Sequence, residues 1–312
     1  MPSGAMTLLE ATKDSTNRLK RGVVATLIQE SPILEMIPFT PFEGNAIEIE
    51  VEVSLPEPQF RAVNETYSRS YGTNTKRFFG VAILGGEVFV DTYILKVHSN
   101  RANAKAKQYR KFSKAMSRTF DKYFFDGTGT AKDFKGVNAL IDEGLGVKLE
   151  AASGTVGDLS LDLLDDAFDA MRTQSPDVIL LNRVLRRKIT TLARNLSGQF
   201  PLIDMTTDTF GRQVTMYNDV PLRIIGDDRE GNAILDFDEG GINGGSLYLV
   251  SWGEDENVFG LSGLGGSFDV RDFGEIEAAP GHLGRVEWYP GIAIANPYSI
   301  VRIANIKDPA AA

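Results

Sequence analysis

SNRANAKAKQYRKFSKAMSRTFDKYFF, residues 99–125, predicts one long helix, and the rest of the chain is read outward from it. Tyr109, Phe112, Met116, Phe120 and Tyr123 recur at spacings of three and four, which lines one helical face. Ser99 or Asn100 supplies a cap at the start, and Gly127 stands where a left-handed C-cap costs least. At helical rise such a segment spans about 40 Å. The opposite face is basic: Arg101, Lys105, Lys107, Arg110, Lys111, Lys114, Arg118 and Lys122, against a single acid, Asp121. A rod with an aromatic seam and a cationic strip reads as a beam in a larger assembly. The plainer alternative is a solvated helix of an ordinary domain, so the flanks must decide.

The chain of 312 residues is long enough to bury a sizeable core and to split into two subdomains. It has no cysteine, which excludes disulfides and thiolate metal sites. Its start lacks a basic segment followed by an apolar run, and no apolar stretch reaches eighteen residues, so neither a signal peptide nor a membrane span is expected. The formal charge is −9, yet residues 99–125 carry +7, leaving −16 for the remainder. Such segregation argues against polyanion binding over the whole surface and leaves one local cationic face open.

Upstream, Asn17–Glu30 places Leu19, Val23, Leu27 and Ile28 on a narrow apolar stripe, with Ser15 or Thr16 as cap. SPILEMIPFTPFEG then follows, where Pro32, Pro38 and Pro41 exclude a continuous helix and an extended strap is expected. IEIEVEV at 47–53 alternates strictly, the pattern of a half-exposed strand with an acidic face, and Val81–Val90 reads as its partner strand. The long segment between them mixes Arg61, Glu65, Arg69, Lys76 and Arg77 with Phe60, Tyr67, Tyr71, Phe78 and Phe79. A solvated linker avoids aromatics, whereas interface anchors are rich in aromatics and arginine. The segment therefore reads as a projecting hairpin that docks on a partner.

Downstream, the chain turns through Gly127, Gly129 and Gly136, and residues 138–158 read as a loop or subdomain boundary. Ser160 caps a helix with Leu161, Leu164, Phe168 and Met171 at core spacing. Val178–Leu181 is a short buried strand, and Asn182 caps a second helix through Asn195 with Leu185, Ile189, Leu192 and Leu196 inward. Val214–Tyr217 and Val220–Ile225 form a hairpin across Asn218-Asp219. Leu247–Trp252, Phe268–Ile276 and Arg285–Ile303 are β, the last broken at Pro290 and Pro297.

Searches for chemistry are negative. His98 and His282 are isolated, no Gly-Lys-Ser/Thr closes a phosphate loop, and Gly260–Gly266 has neither dinucleotide nor nucleophile-elbow spacing and reads as a flexible inter-strand loop. Asp227, Asp228, Asp236, Asp238 and Glu239 lack EF-hand spacing and read as a solvated acidic loop. No catalytic residue, cofactor site or metal site is expected, and the chain is not read as an enzyme.

In this order the elements resemble tailed-phage major capsid proteins of the Hong Kong 97 fold. RGVVATLIQESPIL with Glu43-Gly44-Asn45 resembles the strap of that family, FFDGTGTAKDFKGVNALI its exit from the spine helix, and PDVILLNRVLRRKITTL a strand and helix of its axial domain. RQVTMYNDVPLRII and WYPGIAIANPYSIVRIANI resemble its paired strands and closing segment. The resemblance implies an α+β fold: N-terminal arm at 1–46, E-loop hairpin at 47–92, peripheral domain with spine helix at 93–139, axial domain at 140–265, peripheral return strands at 266–295, and a final axial strand and tail at 296–312. It implies a structural subunit that self-assembles as hexamers and pentamers into an icosahedral virion shell around double-stranded DNA, in the host cytoplasm, with scaffolding, portal and decoration proteins as further partners and no membrane. An encapsulin-like compartment of the same fold is the alternative; a soluble α/β enzyme is a more distant one. Arg61, Glu65, Tyr67, Arg69, Tyr71 and Arg77 are the expected intersubunit contacts. Lys105, Arg110, Lys114 and Arg118 of the spine are expected to face the acids of neighbouring copies, among which Glu48, Glu50 and Glu52 are candidates, in preference to the genome. Neither Lys76 nor Asn74 is expected to cross-link. Arg69→Glu is expected to lower particle yield, counted by negative-stain microscopy, while the far-ultraviolet circular dichroism of the subunit stays unchanged; undiminished yield would remove Arg69 from the docking surface.

Overall fold

The computed structural model describes residues 18–44, 46–97, 101–130, 132–172, 175–195, 203–207, 213–238, 243–254, 256–263, 268–277 and 279–309. Ser15, Thr16, His98, Ser99, Asn100, Leu196 and Glu239, to which roles or places are assigned above, lie outside these residues.

The arm forms α1 (Arg18–Glu30), which buries Val23, Val24, Leu27 and Ile28. The strap is not extended throughout. Pro32 opens a one-turn helix, α2 (Pro32–Met36), because proline at the first helical position loses only a donor that would be unpaired anyway. Ser31 caps it, its Oγ accepting from the Leu34 amide at 3.1 Å. Only β1 (Phe39–Pro41) is a strand, and Ile33, Leu34, Ile37 and Phe39 are buried within this same chain.

The strand β2 (Ala46–Ser54) keeps the expected alternation, with Ile47 and Ile49 half-buried and Glu48 and Glu50 exposed. Its partner, however, is β3 (Thr73–Gly80), antiparallel from Ala46↔Gly80 to Ser54↔Thr73, and not Val81–Val90. The latter run supplies β4 (Leu84–Asp91), which joins a different sheet. Period two specifies a strand but not its neighbour. Gly85 and Gly86 explain the choice: a Cβ on Gly85 would meet the Val286 carbonyl at 2.4 Å, and one on Gly86 the Phe112 ring at 3.1 Å. Only glycines let this strand approach both surfaces.

A short helix, α3 (Thr92–Val97), leads into α4 (Arg101–Asp126), the long helix, at 26 residues. Tyr109, Met116 and Phe120 are buried as expected and Phe112 is partly so. Tyr123 is exposed, and Phe124 and Phe125 are buried in its stead, because the helix end packs against Trp252 and Tyr248 on that side (6.2 and 4.8 Å between ring centroids). Gly127 is not a left-handed cap, since its φ is not positive. It is small because a Cβ there would lie 2.2 Å from the Phe134 carbonyl.

After α5 (Val137–Leu140) and a π-helical turn (Ile141–Leu145), the stretch 138–158 contains a real strand, β5 (Val147–Glu150). It was legible only as a boundary because four residues carry too little periodicity. Next come α6 (Leu161–Ala170), capped by Ser160, β6 (Val178–Leu181) and α7 (Arg183–Asn195), capped by Asn182, whose Oδ1 accepts from the Leu185 amide at 2.8 Å. The following strands are β7 (Ile203–Thr207), β8 (Gln213–Tyr217) and β9 (Val220–Ile224), the last two joined through Asn218 and Asp219 at φ 48° and 63°, as a tight hairpin turn requires. With β10 (Gly244–Val250) and the final β15 (Ile300–Lys307) they make one seven-stranded sheet in the order β5-β15-β10-β6-β9-β8-β7.

Between β10 and β15 lie β11 (Val258–Ser262), β12 (Asp269–Ile276), β13 (Gly281–Trp288) and β14 (Pro290–Ile294). They build two three-stranded sheets, β1-β11-β14 and β12-β13-β4. Gly260–Ser262 is thus a fully buried strand and no flexible loop; a Cβ on Gly260 would strike the Phe39 ring at 2.4 Å. Mixed helices and sheets make the fold α+β, as expected.

One spine residue departs sharply from its expected place. Asp121 is buried (3 % exposed), not part of the basic face, and accepts a short hydrogen bond from the Ser31 hydroxyl. Ser117 Oγ donates to the Leu27 carbonyl at 2.9 Å, so the arm is stitched to α4 at two polar points. Burial raises the Asp121 carboxyl from its ordinary 3.8 to about 7, against the Ser31 hydrogen bond and the nearby Arg118 charge. The folded chain therefore keeps a proton that the unfolded chain releases, and stability falls as the pH rises from 3.8 to about 7. Asp121→Asn, which preserves shape and the contact to Ser31, is expected to flatten this slope and to raise the melting temperature above neutral pH. Calorimetry across that range checks it, and an unchanged slope would exonerate Asp121.

Candidate assembly surfaces

The hairpin extends well beyond its strands. A one-residue shift between Glu52 and Ser54 resets the register, and side chains then continue it across the segment 55–72. Ser54 and Thr73 share a hydrogen bond (2.7 Å), Ser70 bonds both the amide and carbonyl of Glu57 (3.0 and 2.9 Å), and Ser68 donates to Gln59 (2.5 Å). At the tip, Asn64 adopts φ 74°, the Ala62 amide donates to the Glu65 carboxylate (2.9 Å), and the Arg61 guanidinium bonds the Glu65 carbonyl (3.2 Å) and stands 5.2 Å from the Tyr67 ring centroid. Arg61, Glu65 and Tyr67 are therefore brought together as one knot. Arg69 and Tyr71 lie along the returning limb, and Arg77 sits on β3 opposite Ile49.

All six of these residues are exposed, and so are Phe60 and two aliphatic groups, Leu55 and Val63, that charge and aromatic counting passed over. Leu55 and Val63 are 75 % and 89 % exposed, and Phe60 is fully so. Phe78 is exposed while its neighbour Phe79 is buried, as alternation on a strand dictates. The period-two pattern through Arg77-Phe78-Phe79-Gly80 was the available signal. Several large apolar groups exposed together on one hairpin point to a surface that a partner can cover.

The spine's basic face is occupied differently from expectation. Lys105 pairs with Asp272 of β12 (3.3 Å), Lys114 with Glu30 of α1 (2.8 Å), and Arg118 donates to the Asp228 carbonyl (3.2 Å). Lys122 pairs with the Asp228 carboxylate at 3.1 Å. Of the four spine residues singled out, Arg110 alone points outward with no hydrogen bond or ion pair among the described residues. Glu48 likewise has a partner in its own hairpin, Lys76.

Asp228 shows why the acidic loop is not merely solvated. It is 4 % exposed and accepts the Glu230 and Asn232 amides (2.8 and 3.0 Å) together with Lys122. Burial works against its ionisation, but the Lys122 ammonium and the two amides outweigh it and hold the carboxyl at about 2. The loop is a clamp on the C-terminal half of α4. Asp126, Asp236 and Asp238 open onto the same cleft, and burial raises the Asp126 carboxyl.

Among the described residues no group of three or more histidine or acidic side chains is arranged to hold a metal ion, and no helix is long and apolar enough to cross a membrane. His282 lies on β13 opposite Val90, and its Nδ1 is buried.

This architecture is that of capsid-shell proteins. The SrpI encapsulin of Synechococcus elongatus superposes with a TM-score of 0.65 at 15 % identity, over 89 % of this chain and 88 % of that one. A chain of Microbacterium phage Oxtober96 gives 0.60 at 17 % identity, over 88 % and 90 %. The capsid of an empty GTA particle gives 0.60 at 12 % identity, over 89 % and 90 %. No family model matches the sequence, and no curated protein does either. The fold is the Hong Kong 97 capsid fold, and it spans nearly the whole chain.

Because Asp228 titrates below the ordinary 3.8, its contribution is complete above that pH and is lost as the pH falls toward about 2. Asp228→Asn is expected to lower the melting temperature at neutral pH and to speed amide exchange across residues 227–234. Arg110→Glu, on the same helix, should leave both unchanged. Equal responses from the two variants would contradict the clamp.

Proposed function

We propose that this chain is the major capsid protein of a tailed phage, a non-enzymatic subunit whose copies assemble as hexamers and pentamers into a closed shell around double-stranded DNA. The observation that carries this reading is the joint presence of the capsid fold over about nine-tenths of the chain and a projecting, side-chain-stiffened hairpin that leaves Phe60, Val63, Tyr67 and Tyr71 uncovered. A lone subunit has no use for such an arm, whereas a shell repeats the contact in every copy and multiplies a modest interface into a cooperative one.

On this reading α4 and the β12-β13-β4 sheet form the peripheral domain, and the seven-stranded sheet with α6 and α7 forms the axial domain near the ring centre. Scaffolding, portal and decoration proteins are its further partners, and the assembled product is a virion capsid built in the host cytoplasm. Lys105, Lys114, Arg118 and Lys122 already have acceptors in their own chain, which makes the spine a poor DNA grip. The second reading is an encapsulin-like shell, favoured by the superposition on the SrpI encapsulin.

Negative-stain microscopy of the expressed full chain should show shells or tubes; uniform small particles would reject both readings. Particles from the natural source then separate the two. Nuclease-protected double-stranded DNA supports the capsid, and an enclosed protein cargo without DNA supports the compartment.

A further inference from the structure

Two helices on the seven-stranded sheet carry charge that no ion pair among the described residues uses. On α6, Asp162, Asp165, Asp166 and Asp169 stand at i, i+3, i+4 and i+7 and are all exposed, a continuous acidic stripe. On α7, Arg183, Arg186, Arg187 and Arg194 stand at i, i+3, i+4 and i+11 and are all exposed, a basic stripe interrupted at Thr190 and Thr191. Each helix is anchored from its other side. Leu164, Ala167 and Met171 of the first helical segment, and Leu185 and Ile189 of the second, enter one core with Ile179, Leu181, Leu247, Leu249, Val301 and Ile303.

Both helices therefore lie on the same face of the sheet, with α6 against β15 and α7 against β9. Those strands are three spacings apart in the strand order, about 14 Å at the usual inter-strand distance. Among the described residues no ion pair engages any of the eight side chains; Asp165 only accepts the Tyr217 hydroxyl at 3.0 Å. On the spine, by contrast, Lys105, Lys114 and Lys122 meet acids of their own chain.

We propose that the acidic stripe of α6 docks onto the basic stripe of α7 of a second copy of this chain, forming a head-to-tail contact around each ring. The inference rests on the shell-forming reading above and names the residues of one interface within it. Two different, complementary patches on one subunit are what a closed ring requires, because each copy then offers one patch forward and the other back. Arginine forks match carboxylates in paired hydrogen bonds, and bringing the stripes together relieves the like-charge repulsion along each helix.

Two triple variants test this: Asp162→Lys with Asp166→Lys and Asp169→Lys, and Arg183→Glu with Arg187→Glu and Arg194→Glu. Each alone is expected to lower the assembled fraction roughly tenfold, because like charges then face each other across the contact. An equimolar mixture should recover assembly, since the two variants can alternate, but only in even-membered rings, read by native mass spectrometry. Misfolded variants could not rescue each other, so recovery also certifies their folds. Normal assembly of either variant alone, or no gain on mixing, overturns the proposal. Normal assembly of both with nucleic acid lost only from the arginine variant also overturns it, and reassigns α7 to a polyanion. If the unsubstituted chain itself never assembles, the shell reading fails and this contact with it.

Discussion

Everything in the subunit hangs on the aromatic cluster at the C-terminal half of the long helix. Phe120 lies 5.1 Å from Trp288 and 6.4 Å from Phe39, ring to ring, and Phe268 stacks on Trp288 at 4.7 Å. Phe125 reaches Tyr248 at 4.8 Å. Four elements distant in sequence, the arm, the helix, the β12-β13-β4 sheet and the seven-stranded sheet, thus meet through six side chains. Each ring pair adds about 0.5–1.5 kcal/mol beyond the area it buries, and deleting one such ring costs about 3–5 kcal/mol. Trp288 also satisfies its indole by donating to Ser262 at 3.2 Å, which orients the ring at the centre of the cluster.

Polar chemistry is then arranged around that hub in two tiers. Inside, Ser31, Ser117 and Asp121 tie the arm to the helix at positions where water is excluded, and burial raises the Asp121 carboxyl to about 7. Outside, the spine lysines are matched by Glu30, Asp228 and Asp272, one from each layer that packs on the helix. The cationic strip is therefore internal wiring. Charges without such partners among the described residues, on α6 and α7, and the bare apolar groups of the hairpin are the surfaces we propose for contact with other copies.

The local elements were legible because their causes are local. Ser160 and Asn182 cap the helices they were expected to cap, and Asn218-Asp219 turns where a positive φ was needed. The fold class was legible from the order of those elements. That a hairpin stands here was legible too, from aromatics placed where a solvated linker would have none, but its returning strand is Thr73–Gly80 and not Val81–Val90. The four-residue β5 escaped because it is too short to show a period, and α2 because three prolines masked a helix that one of them begins. The stripe on α7 went unremarked because its arginines alternate in sequence with the apolar residues that anchor it, and only a helical projection separates them.

By itself the sequence determined periodicity, caps, turns and the segregation of charge, since these follow from backbone sterics and neighbours within a few residues. Tertiary structure alone decided partnership. It chose β3 over Val81–Val90 for β2, through the close approach that Gly85 and Gly86 permit. It drew Asp121 into the core and Asp228 against Lys122, because burial and pairing depend on which surfaces meet. The same long helix that reads as a free basic rod in one dimension has, in three, Lys105, Lys114 and Lys122 paired with acids of its own chain.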